Sequence, residues 1–311
     1  LEFSTVLLES IPAKVRKEAD HYKPSTEELF EVPLATDFET SDSTPKPDEP
    51  QATRGVTVLT SLTFEHPLNE RVRIFLRLEY LLEKVAHFLS QEDPWMSRAA
   101  IEGLVGILTI AARVDIKTEL LKELARNSSA LGRIRSGPEV DSQILEKRLD
   151  DIRQAASDLY QLSGQIGEAL RRDDFFKDIV QRSNLLGGIC SFDLPQYYYW
   201  LEQPSDLRQK RLHTWNRSLQ PVSNAVALIL SLVRTSTEPH EVTAVGGFYQ
   251  QALALRTPAQ LVRVVPDGSD LFPVISSYKN RFSIRFMSMQ ETGRPTPWPT
   301  DTDFSLTCCT F

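Results

Sequence analysis

At 311 residues the chain can form two domains or one large one, and its 41% hydrophobic and 25% charged content is that of a folded protein. The formal net charge of -7 is concentrated in residues 1–50, which hold 12 acidic and 5 basic side chains and leave 30 of each for the rest. A neutral remainder weighs against a basic nucleic-acid-binding domain. Three cysteines, Cys190, Cys308 and Cys309, show no CxxC spacing and argue for a reduced, cytoplasmic protein without a disulfide framework or metal site. No uninterrupted run of 18 apolar residues predicts a membrane span, and LEFSTVLLES lacks the basic region and continuous apolar core of a signal peptide.

Residues 1–54 read as a disordered acidic tail, because their Pro, Ser, Thr, Asp and Glu content offers too little apolar surface to offset ordering. Residues 55–66 follow as a joining strand, with VTVLTSLTF (56–64) β-branched and alternating. From 67 to 184 the apolar period is helical. Pro67 and Asn69 open a first helix, and Pro94–Val114 and Asp115–Leu131 give two more, with Asp115 as the cap. Asp141–Ser163 and Gly167–Asn184 complete this helical domain. Residues 185–240 link the halves: ICSFD predicts a short strand, and helices begin at Pro195, Pro204 and Pro221.

In 241–311 the period changes to two, as strands separated by Pro, Gly and Asp turns. The stretch Ser276–Met287 reads as one strand, with Tyr278, Phe282, Ile284 and Phe286 inward and Lys279, Arg281 and Arg285 outward. Taken alone, such a strand is an ordinary solvated face of a sheet. The fold class predicted is α+β, a helical bundle domain followed by an antiparallel β domain.

No catalytic motif emerges. GGFYQQ and LLGGIC are isolated glycine pairs without a phosphate-loop pattern, and no cofactor is expected. Asp150-Asp151 and Asp173-Asp174 are neighbours on helices, where successive side chains point apart, so both pairs read as solvated. RQKR at 208–211 reads as helix surface, and His66 as a cap or turn residue.

Several blocks carry a resemblance: TFEHPLNERVRIFLRLEYL, RVDIKTELLKEL, RSNLLGGICSFDLPQYYYWL, GGFYQQ, and SYKNRFSIRFM with the terminal CC. In this order, over about residues 62–310, they resemble the ZapD family of cell-division proteins. The resemblance implies a non-enzymatic cytoplasmic homodimer with a helical domain and a β-sandwich-like domain. It implies binding of the C-terminal tail of the tubulin-like protein FtsZ and bundling of its filaments at the mid-cell division site. The implied tail-binding surface includes Arg113, Arg281 and Arg285, and Lys279 lies beside them on the same stretch.

Two other readings compete. One is a nucleic-acid-binding protein using the Arg-rich strand; the other is a hydrolase built on His66 with an unidentified nucleophile. In the tail, Ile11-Pro12-Ala13, Arg16-Lys17 and Ala19-Asp20 resemble the FtsZ C-terminal peptide, which suggests a tethered competitor for the basic surface.

Overall fold

Asn69 opens the helical part: its side-chain oxygen accepts from the Val72 amide at 2.9 Å, capping α1 (Glu70–Leu89). This computed structural model describes residues 62–134, 142–185, 187–254, 258–268, 270–289 and 293–310, all within the unit Thr57–Phe311. The acidic tail, its FtsZ-like segment and the joining strand up to residue 61 lie outside the described residues. The described strand before α1 is β1 (Phe64–Pro67), so Pro67, expected to open the first helix, ends the strand instead.

The helices after α1 are α2 (Pro94–Arg113), α3 (Ile116–Ile134), α4 (Ser142–Gln161), α5 (Glu168–Arg172), α6 (Asp174–Ser183), α7 (Pro195–Leu201), α8 (Ser205–Arg217) and α9 (Gln220–Arg234). Asp93 caps α2 ahead of a proline in its first turn, and Asp115 accepts from the Thr118 amide at 3.1 Å. α2 is long and apolar enough to cross a membrane by length and composition, and it buries Ala100, Ile101, Leu104, Ile107 and Leu108 inside the protein.

Residues 205–234, expected to link the domains, supply the central helix. α9 buries Val222, Ala225, Val226, Ile229, Leu230, Leu232 and Val233, and packs against α1, α3 and α4.

Three local expectations change. The single helix over Gly167–Asn184 is divided at Asp173, whose carboxylate caps α6 and binds both Arg211 of α8 (3.0 Å) and the Trp215 indole N–H (2.9 Å). Burial alone would raise the pKa of Asp173. The Trp215 indole, the Phe176 amide and Arg211 outweigh it and hold the carboxyl below the usual range. Asp173 is therefore a tie between helices and not a solvated partner of Asp174.

The CSFD stretch is a series of turns, with Cys190 N on Gly187 O and Leu194 N on Cys190 O, both at 3.0 Å. Gly188 is wedged against the Arg182 carbonyl, where a Cβ would clash. The backbone bonds close locally and no strand joins the sheet. Arg208 of the RQKR run is buried, bonding Ser97 Oγ (3.2 Å) and the carbonyls of Leu201, Gln203 and Glu92.

The strands after α9 are β2 (His240–Ala244), β3 (Phe248–Ala252), β4 (Leu261–Pro266), β5 (Leu271–Tyr278), β6 (Arg281–Ser288), β7 (Thr296–Pro297) and β8 (Thr302–Cys309). They form two antiparallel sheets, β1-β4-β8-β2 and β3-β6-β5, with β7 on the end of β6. Phe282, Ile284 and Phe286 meet Val262, Val264, Phe304 and Leu306 in one core, with the Phe286 and Phe304 rings 5.1 Å apart. On the other side of the first sheet, Leu261 and Cys309 join the helical core. Helices, first sheet and second sheet are thus stacked as three layers, and the outer face of β3-β6-β5 is left open.

An ion network fixes the helix–sheet contact. Arg234 of α9 binds Glu65 of β1 (2.7 Å) and Glu79 of α1 (2.6 Å), while Arg263 of β4 binds Glu65 at 3.0 Å. Bonds to Glu79 and Glu65 raise the pKa of the Arg234 guanidinium and keep it charged.

Candidate functional site

The stretch expected to be one strand is a hairpin. β5 ends at Tyr278, β6 begins at Arg281, and these two residues face each other across the turn Lys279-Asn280. Lys279 is the one described non-glycine residue with positive φ, 51°. The Asn280 carbonyl accepts from the Leu253 amide at 2.6 Å and anchors the tip to the end of β3. Tyr278, expected inside, is turned to the outer face and 62% exposed.

β6 keeps the expected alternation, with Phe282, Ile284 and Phe286 buried and Arg281 and Arg285 exposed. Cross-strand register completes the outer face. Arg285 lies between Phe248 of β3 and Val274 of β5, and Arg281 lies between Ala252 and Tyr278. Between these rows the Ser276 and Ser283 hydroxyls are 2.9 Å apart. The two guanidinium groups start from backbone positions about 13 Å apart. The Arg285 guanidinium carbon lies 5.4 Å from the Phe248 ring centre, and Lys279 Nζ lies 5.2 Å from the Tyr278 ring centre.

Phe248, Val274 and Tyr278 are 40%, 50% and 62% exposed, so the face combines cations with open apolar surface. These flanking residues escaped the sequence reading. The parity of FYQQA hints at Phe248, but only the non-local register places it beside Arg285.

Arg281, Arg285, Lys279 and Arg113 pair with no carboxylate among the described residues. Arg113 is not brought onto the sheet face. It ends α2 and lines a separate concavity between the α2–α3 connection and residues 164–166.

His66 lies in β1 with Nε2 3.1 Å from Ser277 Oγ, and burial followed by the nearby Arg73 lowers its pKa. Among the described residues no carboxylate orients its other ring nitrogen, as a nucleophile-activating histidine requires. Gly246 and Gly247 form the β2–β3 turn, at φ 56° and 70°, with Gly247 pressed on the Trp298 carbonyl. Burial raises the pKa of both the Cys308 and Cys309 thiols, pushing Cys309 up to about 11. No group of three or more His, Cys, Asp or Glu among the described residues could hold a metal ion.

The fold and this face define an α+β protein in which helices cover one side of a two-sheet sandwich and the other side presents an open, cation-bearing strand surface. The ZapD cell division protein family matches residues 76–285, a span that includes Arg113, Lys279, Arg281 and Arg285. The chain is 40% identical over 249 residues to the cell division protein ZapD of Methylococcus capsulatus, covering 80% of this chain and 98% of that protein. It is 36% identical to the ZapD proteins of Aromatoleum aromaticum and of an Azoarcus species, again over 80% of this chain and 98% and 100% of theirs. The chain belongs to the ZapD family of cell division proteins.

Proposed function

We propose that the outer face of β3-β6-β5 binds the C-terminal tail of FtsZ, and that a homodimer with two such faces cross-links FtsZ filaments at the division site in the cytoplasm. One observation carries this reading: Arg281 and Arg285 stand in line on one open strand without carboxylate partners among the described residues, beside exposed Phe248, Val274 and Tyr278. Lys279 extends the line at the hairpin tip, whereas Arg113, in its separate concavity, joins the contact only if the tail runs on past this face onto the helical layer.

Charge alone is insufficient. An exposed ion pair contributes about 0.2–1 kcal/mol, so three give roughly 1–3 kcal/mol against the about 8 kcal/mol of a micromolar complex. The arginines therefore attract and orient the tail, taking its carboxylates with their planar forks. Burial of the neighbouring rings and Val274 supplies most of the affinity. Two faces per dimer make weak single contacts firm on polymers that display many tails, so bundling needs no chemical step.

Co-sedimentation of FtsZ filaments with this protein tests the reading. Full-length FtsZ is expected to pellet as bundles while FtsZ lacking its tail stays in the supernatant. Equal pelleting of both contradicts it.

A further inference from the structure

The cationic line does not end at the hairpin. Lys279 and Asn280 also form one wall of a pocket of about 380 Å³, whose other walls come from the start of α1, from α3 and from the residues around β4. Arg71 of α1 and Arg126 of α3 line it together with Asn69 and Gln260, and apolar surface comes from Leu68 and Leu253.

Among the described residues, three cations and no carboxylate line this pocket. The acids behind it are Glu119 and Glu123. Glu123 is 1% exposed and takes both Arg71 (3.0 Å) and Arg126, while Glu119 takes Arg71 (2.9 Å) and Lys122 (2.9 Å). Among the described residues, Arg71, Arg126 and Lys122 thus share these two carboxylates, and Lys279 pairs with neither.

The buried acid also fixes the donors. Arg71 spends Nε on Glu119 and Nη1 on Glu123, and Nη2 carries no partner among the described residues. The Asn280 side-chain amide is likewise unbonded, its carbonyl alone being used to hold Leu253. A guanidinium, an amide and an ammonium group around one pocket suit a carboxylate, which accepts several such donors at once.

We propose that this pocket takes one carboxylate of the peptide that runs along β6, anchoring it where the sheet face meets the helices. The inference rests on the reading of the face given above. Two carboxylates are available to such a peptide, that of an acidic side chain and that of its C-terminus. Both would be met by the same donors.

The test is fluorescence anisotropy of a labelled FtsZ tail peptide on the full chain and on two variants at exposed positions, Asn280→Asp in the pocket and Arg285→Glu on the face. Peptides with each carboxylate neutralised in turn, by amidation of the terminus or by Asp→Asn and Glu→Gln, are compared. Asn280→Asp is expected to weaken binding about five- to tenfold. One neutralised peptide is expected to lose that sensitivity and keep its sensitivity to Arg285→Glu, and it identifies the carboxylate. An Arg126→Gln variant, checked for unchanged melting, is expected to weaken the same peptides. If Asn280→Asp and Arg126→Gln bind like the wild type while Arg285→Glu does not, the pocket is overturned and the face stands. If wild-type protein does not bind the tail, both fall together.

Discussion

Phe248 and Arg285 face each other on neighbouring strands, with the guanidinium carbon 5.4 Å from the ring centre. The ring holds the cation over the sheet and offers its own exposed edge beside it. Phe248→Ser is therefore expected to weaken tail binding at every salt concentration. Arg285→Gln is expected to weaken it chiefly at low salt, because exposed charges are screened beyond about 10 Å at 0.1 M. Titrations at low and high salt distinguish the two. An identical salt dependence for both variants would contradict the division of labour between ring and cation.

The hairpin tip carries a conformational cost. Lys279 holds φ at 51°, a region that asparagine and glycine adopt more readily than lysine. Lys279→Asn is expected to raise stability by up to about 1 kcal/mol while lowering tail affinity. Chemical denaturation and peptide titration of the same preparation check both halves, and a variant that loses stability contradicts the strain.

Arg234 joins Glu65 of β1 to Glu79 of α1, with all three side chains no more than 25% exposed. Arg234→Met leaves Glu79 without its cation and Glu65 with Arg263 alone, at an expected cost of about 3 kcal/mol. The double variant with Glu79→Gln should recover part of that loss in urea unfolding. Additive losses would show that the pair is not coupled.

Asp173 supplies a pH signature. Its folded pKa is depressed, so its contribution is complete above the ordinary aspartate value, near about 4, and is lost as pH falls through the lower folded value. Asp173→Asn keeps a capping side chain but loses the charge that holds Arg211. It is expected to cost about 1 kcal/mol at neutral pH and little at about pH 2. A cost independent of pH would mean that the cap alone matters.

Much of this fold is legible in residue periodicity. Phe282, Ile284 and Phe286 alternate with Arg281 and Arg285 as a half-buried strand requires, and Asn69, Asp93 and Asp115 mark helix starts by capping chemistry. The hairpin at Lys279-Asn280 is hidden because its turn places lysine in a conformation usually signalled by glycine or asparagine. The break at Asp173 depends on partners about forty residues away, Arg211 and Trp215, that no local pattern shows. Arg208 looks like surface until the carbonyls of two connections converge on it. For the candidate site, residue parity finds Arg281 and Arg285. Phe248 and Val274 become neighbours of Arg285 only through strand register, and Arg71 a neighbour of Lys279 only through the stacking of layers.

Affinity of the isolated FtsZ tail peptide for wild-type protein and for the Arg281→Glu/Arg285→Glu double variant tests the central claim most directly, with circular dichroism and melting as controls for the fold. Both side chains are exposed and pair with no carboxylate among the described residues, so the variant is expected to fold and melt like the wild type while binding the tail more than tenfold more weakly. A folded double variant that binds the tail as tightly as the wild type would place the contact elsewhere on the molecule.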